Sequence, residues 1–136
     1  GELRYMEFST EISEDEDISD ILEQDLLQVV ERFNSPKISY TYHIQYTLFS
    51  QKAEAKKLYF GLYHTLFPGG FLPRHVENLD CEETMYVTRG TGKMTSGNSE
   101  YEVTPGSLVY VPPRTLHSIE NSTGDYMEVL LYESRP

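Results

Sequence analysis

The 136-residue chain carries a formal net charge of −11, and residues 1–31 supply nearly all of it, with eleven acids against Arg4 alone. Residues 32–136 balance eleven acids with ten bases, so neither part presents the basic face that a phosphate backbone requires, and nucleic acid is excluded as an expected partner. One cysteine, Cys81, allows neither an internal disulfide nor a cysteine-based zinc site. No apolar run approaches the roughly twenty residues that span a bilayer, so a cytoplasmic protein with no membrane partner is expected.

The chain opens with an acid-rich lead-in to Asp17. Ile18, Ile21, Leu22, Leu26, Val29, Val30 and Phe33 then recur at three- and four-residue steps, the stripe of an amphipathic helix. Asp17 or Ser19 suits its start, and Asn34-Ser35-Pro36 stops it. Residues 1–36 are therefore expected to form an acidic lead-in and helix, and residues 37–136 a β domain. From Ile38 to Leu48 the period becomes two, predicting one half-buried strand that carries His43 among its polar positions. A second alternating run, Leu58 to Phe67, places His64 on its apolar side. Beyond Pro68-Gly69-Gly70, turn signals return at short intervals: Arg89-Gly90, Ser96-Gly97-Asn98, Pro105-Gly106, Pro112-Pro113 and Ser122-Thr123-Gly124. Short strands at this spacing argue an all-β sandwich or barrel.

Two segments carry chemistry. In the first, Gly69 is followed by His75, Glu77, Glu83 and Gly90; in the second, Gly106 is followed by Pro112, His117 and Asn121. Their spacings resemble the two signature motifs of the cupin superfamily, over roughly residues 58–133. The second motif departs at Arg114, where the family often has glycine, and the first has Glu77 where a second histidine is common. The resemblance implies a cupin jelly-roll β-barrel preceded by the amphipathic helix. Strand alternation sets Glu83, Met85 and Val87 on one inward face, so Glu83 rather than Glu82 is the inward carboxylate.

Inward histidines and carboxylates are costly in an apolar interior unless a cation compensates them. His75, Glu77, Glu83 and His117 are therefore the expected ligands of one divalent metal, of the Fe, Mn, Ni, Co or Zn type. Glu77 is also a candidate proton-transfer group, should it stay unliganded. His64 is a second candidate for that catalytic role, and Arg114 a candidate for holding an anionic substrate. The resemblance implies a metal-dependent enzyme acting on a small organic molecule by dioxygenation, isomerisation, decarboxylation or cyclisation. The alternative is a non-catalytic ligand-binding or sensory cupin. A homodimer is expected, because cupins commonly pair through their sheets and the apolar strand and helix ahead of the motifs need cover.

Overall fold

The computed structural model describes residues 28–50, 58–75 and 80–134. Ten strands follow one another along these residues: β1 (Lys37–Ser39), β2 (His43–Phe49), β3 (Leu58–Leu66), β4 (Phe71–His75) and β5 (Glu82–Arg89), then β6 (Gly92–Ser96), β7 (Ser99–Val103), β8 (Leu108–Val111), β9 (His117–Asn121) and β10 (Met127–Ser134). They form a six-stranded sheet ordered β1-β2-β3-β10-β5-β8 and a four-stranded sheet ordered β4-β9-β6-β7. Every ladder is antiparallel.

Period-two sequence explains the packing. Along β10, Met127, Val129, Leu131 and Glu133 are buried while the residues between them are only half-buried. Met85 and Val87 on β5 and Val111 on β8 join them from the same sheet, and Leu72, Met94, Val103 and Ile119 meet them from the other. Among the described residues no ladder joins β8 to β7 or β1 to β4, so the jelly roll is two facing sheets with open seams rather than the closed barrel expected. The edge strands have a local reason to stop. Pro105 and Pro112-Pro113 bracket β8 and Pro36 precedes β1, and proline offers no backbone donor to extend a ladder.

Two further expectations are corrected. The predicted helix lies mostly in residues 1–27, outside the described residues, and its C-terminal part is not helical. Gln28–Glu31 carry no regular structure, and Arg32–Asn34 form a single 3-10 turn. Tertiary contacts override the local period there: Phe33 packs edge-on to Tyr46 at 5.7 Å, and Arg32 pairs with Glu128 on β10 at 3.1 Å. The predicted single strand Ile38–Leu48 is a hairpin. The Tyr40 backbone N–H donates to the His43 carbonyl, folding β1 back so that Lys37 stands opposite Tyr46.

Asn121, at the end of the second motif, is a structural hub. Its side-chain amide donates to the carbonyls of Leu66, Phe67 and Asp125, and its oxygen accepts from the Thr123 backbone N–H and hydroxyl. It is fully buried, so it ties the β3–β4 and β9–β10 turns together at one point. Gly90 serves the same end of the sandwich. Its φ is +81°, and a Cβ there would lie 2.7 Å from the Tyr126 carbonyl oxygen.

Asn121→Ala is expected to lower stability by about 2–4 kcal/mol in urea unfolding, since each buried bond lost is worth roughly 1 kcal/mol and its former partners stay buried. Arg114 has φ +61°, a left-handed conformation that suits glycine. Arg114→Gly should therefore raise stability by about 1 kcal/mol in the same assay.

Candidate metal centre

Three elements deliver three donors to one point. His75 ends β4 and His117 begins β9, standing directly opposite each other in the four-stranded sheet, with ring centroids 4.3 Å apart. Glu83 comes from β5 of the facing sheet and is 1% exposed, as is His117. One ligand atom from each of the three falls within 4.8 Å of the others. That is close to the roughly 3–4.4 Å separating cis and trans donors around an ion with bonds of about 2.0–2.2 Å.

The hydrogen bonds orient the rings for such a role. His75 Nδ1 lies 2.7 Å from the Pro73 carbonyl oxygen and His117 Nδ1 2.8 Å from that of Thr115. A carbonyl only accepts, so Nδ1 carries the proton in both rings and the neutral imidazole keeps its lone pair at Nε2. Backbone anchoring of the distal nitrogen is the arrangement metal-ligating histidines commonly show. His117 Nε2 stands 3.7 Å from Glu83 Oε1, too long for a hydrogen bond and between the cis and trans spacings of two donors on one ion. The donor set thus fits a divalent cation.

Glu77 lies in residues 76–79, outside the described residues. Glu82 points the other way and accepts a 2.7 Å hydrogen bond from the Tyr110 hydroxyl. Arg114 sits exposed on the turn between β8 and β9, 3.7 Å from Asp80, and lines neither of the two cavities beside the triad.

One of those cavities touches the triad at His117 and the other at His75. One, of about 510 Å³, opens at the seam between β8 and β7 and reaches His117 past Tyr101, Val109, Tyr110 and Pro112. The other, of about 360 Å³, lies between β4 and the strands β2, β3 and β10, and His75 forms part of its wall. The smaller one holds the convergent polar groups: His43, Gln45, His64 and Glu133, set among Leu62, Leu72 and Leu131. A pocket with a few polar groups on apolar walls is the usual form of a small-molecule site, and this chamber has it.

Sequence reasoning placed His64 here but missed His43 and Glu133. His43 turns inward because β2 pairs with β3 so that His43 faces Leu66 and Gln45 faces His64, and opposite residues share a face of the sheet. The apolar Ile44 and Tyr46 therefore point outward. His43 sits between Tyr40, stacked on it at 4.5 Å, and His64 at 5.4 Å. Glu133 was within reach of alternation, one step beyond Met127, Val129 and Leu131. It is 7% exposed and stands directly opposite Glu83 in the β10–β5 ladder.

A family model described as "Cupin domain" matches residues 62–132. An uncharacterized protein of Methanocaldococcus jannaschii is 48% identical over 40 residues, 29% of this chain and 32% of that protein, so the match spans about a third of the relative's length. Solved structures agree on the fold. A predicted oxalate decarboxylase from Thermotoga maritima superposes with a TM-score of 0.72 at 21% identity, covering 80% of this chain and all of that one. The polyketide cyclase RemF from Streptomyces resistomycificus gives 0.68 at 17% identity over 80% of each chain. A sugar phosphate isomerase from Silicibacter pomeroyi gives 0.65 at 15% identity, over 80% of this chain and 76% of that one. Among the described residues, no helix is long and apolar enough to cross a membrane.

Burial holds the His43 imidazole below its ordinary pKa of 6.5. The fold therefore binds its proton more weakly than the unfolded chain does, and the associated stability is complete above pH 6.5 and is lost as pH falls below it. His43→Gln should lose less stability than the wild type between pH 7 and pH 5, measured as urea midpoints. Equal losses would refute the assignment.

Proposed function

The chain belongs to the cupin family, and we propose that it is a metal-dependent enzyme that moves a proton beside the carbonyl group of a small hydroxylated molecule. The observation that carries this reading is a shared chamber: His75 of the triad, His64 and Glu133 line the same cavity.

His75, Glu83 and His117 would hold one divalent ion, and two imidazoles with one carboxylate leave positions open for substrate oxygens. Bound there, the ion supplies Lewis acidity that stabilises negative charge developing on a carbonyl oxygen. The chain's own residues supply the rest. His64 accepts a proton from the carbon next to that carbonyl and returns it to the carbonyl carbon, while the proton of the adjacent hydroxyl passes to the former carbonyl oxygen. Glu133 accepts hydrogen bonds from substrate hydroxyls and fixes their orientation. Leu62, Leu72 and Leu131 keep water from the reacting face.

Size and wall chemistry narrow the substrate. A chamber of about 360 Å³ displaces roughly a dozen waters at about 30 Å³ each, so the ligand is small. A carbonyl oxygen for the ion and hydroxyls for the polar wall describe a small hydroxy-carbonyl compound. Isomerisation and cyclisation both begin with such a proton transfer. Similarity of fold to a cyclase and a sugar phosphate isomerase is compatible with that class, though a fold alone does not select a reaction.

Purified protein should take up about one equivalent of Mn²⁺, Fe²⁺, Co²⁺, Ni²⁺ or Zn²⁺ by elemental analysis. His117→Ala should abolish uptake and His64→Ala should leave it intact. For the reaction, the metal-loaded protein should exchange the α-proton of a hydroxy-ketone or aldose from a small panel with deuterium oxide, followed by NMR. His64→Ala should slow that exchange by about 10²–10⁴-fold with metal content unchanged. Full metal binding with no exchange across the panel would leave the ligand-binding alternative standing instead.

A further inference from the structure

The proposed reaction moves two protons, and His64 accounts for the one on carbon. The hydroxyl proton must leave one substrate oxygen and arrive on its neighbour. Direct passage between adjacent oxygens is bent far from the linear geometry a hydrogen bond prefers, so a side chain that can both accept and donate is the better carrier. Besides His64, the polar side chains of the 360 Å³ chamber are Tyr40, His43, Gln45, His75 and Glu133. His75 belongs to the triad, and Gln45 is an amide with no proton to trade. Tyr40 and His43 stack on each other, with His43 opposite the apolar Leu66 on β3.

Glu133 differs from these in being the ladder partner of a triad residue. It stands directly opposite Glu83 in the β10–β5 pairing, and opposite residues share a face with Cβ atoms roughly 4.5–5.5 Å apart. It is also the polar member of an inward set that is otherwise Met127, Val129 and Leu131. A carboxylate is costly to place at such a position, which asks for a use. The β10–β3 ladder slips directly after it, with Glu133 facing Phe60 and Ser134 facing Leu58. Irregularities of this kind re-aim side chains beside active sites.

We propose that Glu133 carries the hydroxyl proton and is a second catalytic residue of the chamber, an assignment that rests on the proton-transfer reaction proposed above. As His64 takes the carbon proton, the C–H electron pair becomes a carbon–carbon double bond and the carbonyl π pair moves onto oxygen. Glu133 accepts the proton of the neighbouring hydroxyl and gives it to that oxygen. The former hydroxyl oxygen becomes the new carbonyl as His64 returns its proton to the old carbonyl carbon. Both side chains end as they began, and no external oxidant or reductant enters.

The test uses full-length, metal-loaded protein in deuterium oxide with glyceraldehyde, erythrose and xylose, followed by NMR. Glu133→Gln keeps the side chain's shape and hydrogen bonding but cannot carry a proton. Its metal content by elemental analysis should match the wild type and its KM should stay within about threefold, while kcat for conversion to the ketose falls about 10²–10⁴-fold. Exchange of the carbon-bound proton should fall far less, because His64 acts in that step. Glu133→Asp should recover part of the lost kcat. Unchanged kcat, equal losses of exchange and conversion, or loss of metal in Glu133→Gln would each overturn the proposal, the last by making Glu133 a ligand. A larger loss of kcat in His43→Gln would overturn it in favour of His43. A wild type that binds metal but exchanges none of the three sugars would overturn the underlying reaction, and this assignment with it.

Discussion

Burying the Glu83 carboxylate is the constraint on which the rest of this molecule turns. A charged group at 1% exposure between Met85 and the core would cost several kcal/mol unless opposite charge or hydrogen bonds answer it. The sandwich brings His75 and His117 to it from the facing sheet, each with Nδ1 held by a backbone carbonyl, so that a divalent cation held by the three residues would answer the charge. The sheets thus act as a jig. β5 sets the depth of the carboxylate, and the β4–β9 pairing sets the two rings side by side.

Strand β5 also shows how one segment serves two surfaces. Its inward positions hold Glu83, Met85 and Val87, and its outward positions hold Glu82, Thr84 and Tyr86. A one-residue slip in its register would exchange the two sets, sending the carboxylate to solvent and Tyr86 into the core. The register is held by the ladders to β10 and β8 on either side. Stability and site geometry therefore share the same bonds.

The polar chamber beside His75 adds a second constraint. Glu133 lies opposite Glu83, and placing two carboxylates at neighbouring inward positions is unfavourable without compensating cations or donors. A cation held by the triad would reduce that repulsion. The apolar walls strengthen each of these interactions by excluding water. The larger cavity toward β7 has polar lining of its own, Ser96, Glu102, Ser107, Thr115 and His117, beside Met94, Val103, Val109 and two tyrosines.

What was legible in the chain alone follows from local rules. Period two located β3 and set Glu83, Met85 and Val87 on one side, because alternation is a property of a single strand. Glycine and proline marked the turns around β8, because backbone freedom and missing donors are local too. The motif spacings singled out His75 and His117 before any contact was known. Only the tertiary structure showed that His43 faces the chamber, since that depends on which residue of β3 stands opposite it. It also decided that Ile38–Leu48 folds as a hairpin, and that Phe33 leaves the helical period to rest on Tyr46. Pairing register and long-range packing join residues far apart in sequence, and no period within one segment records its partner.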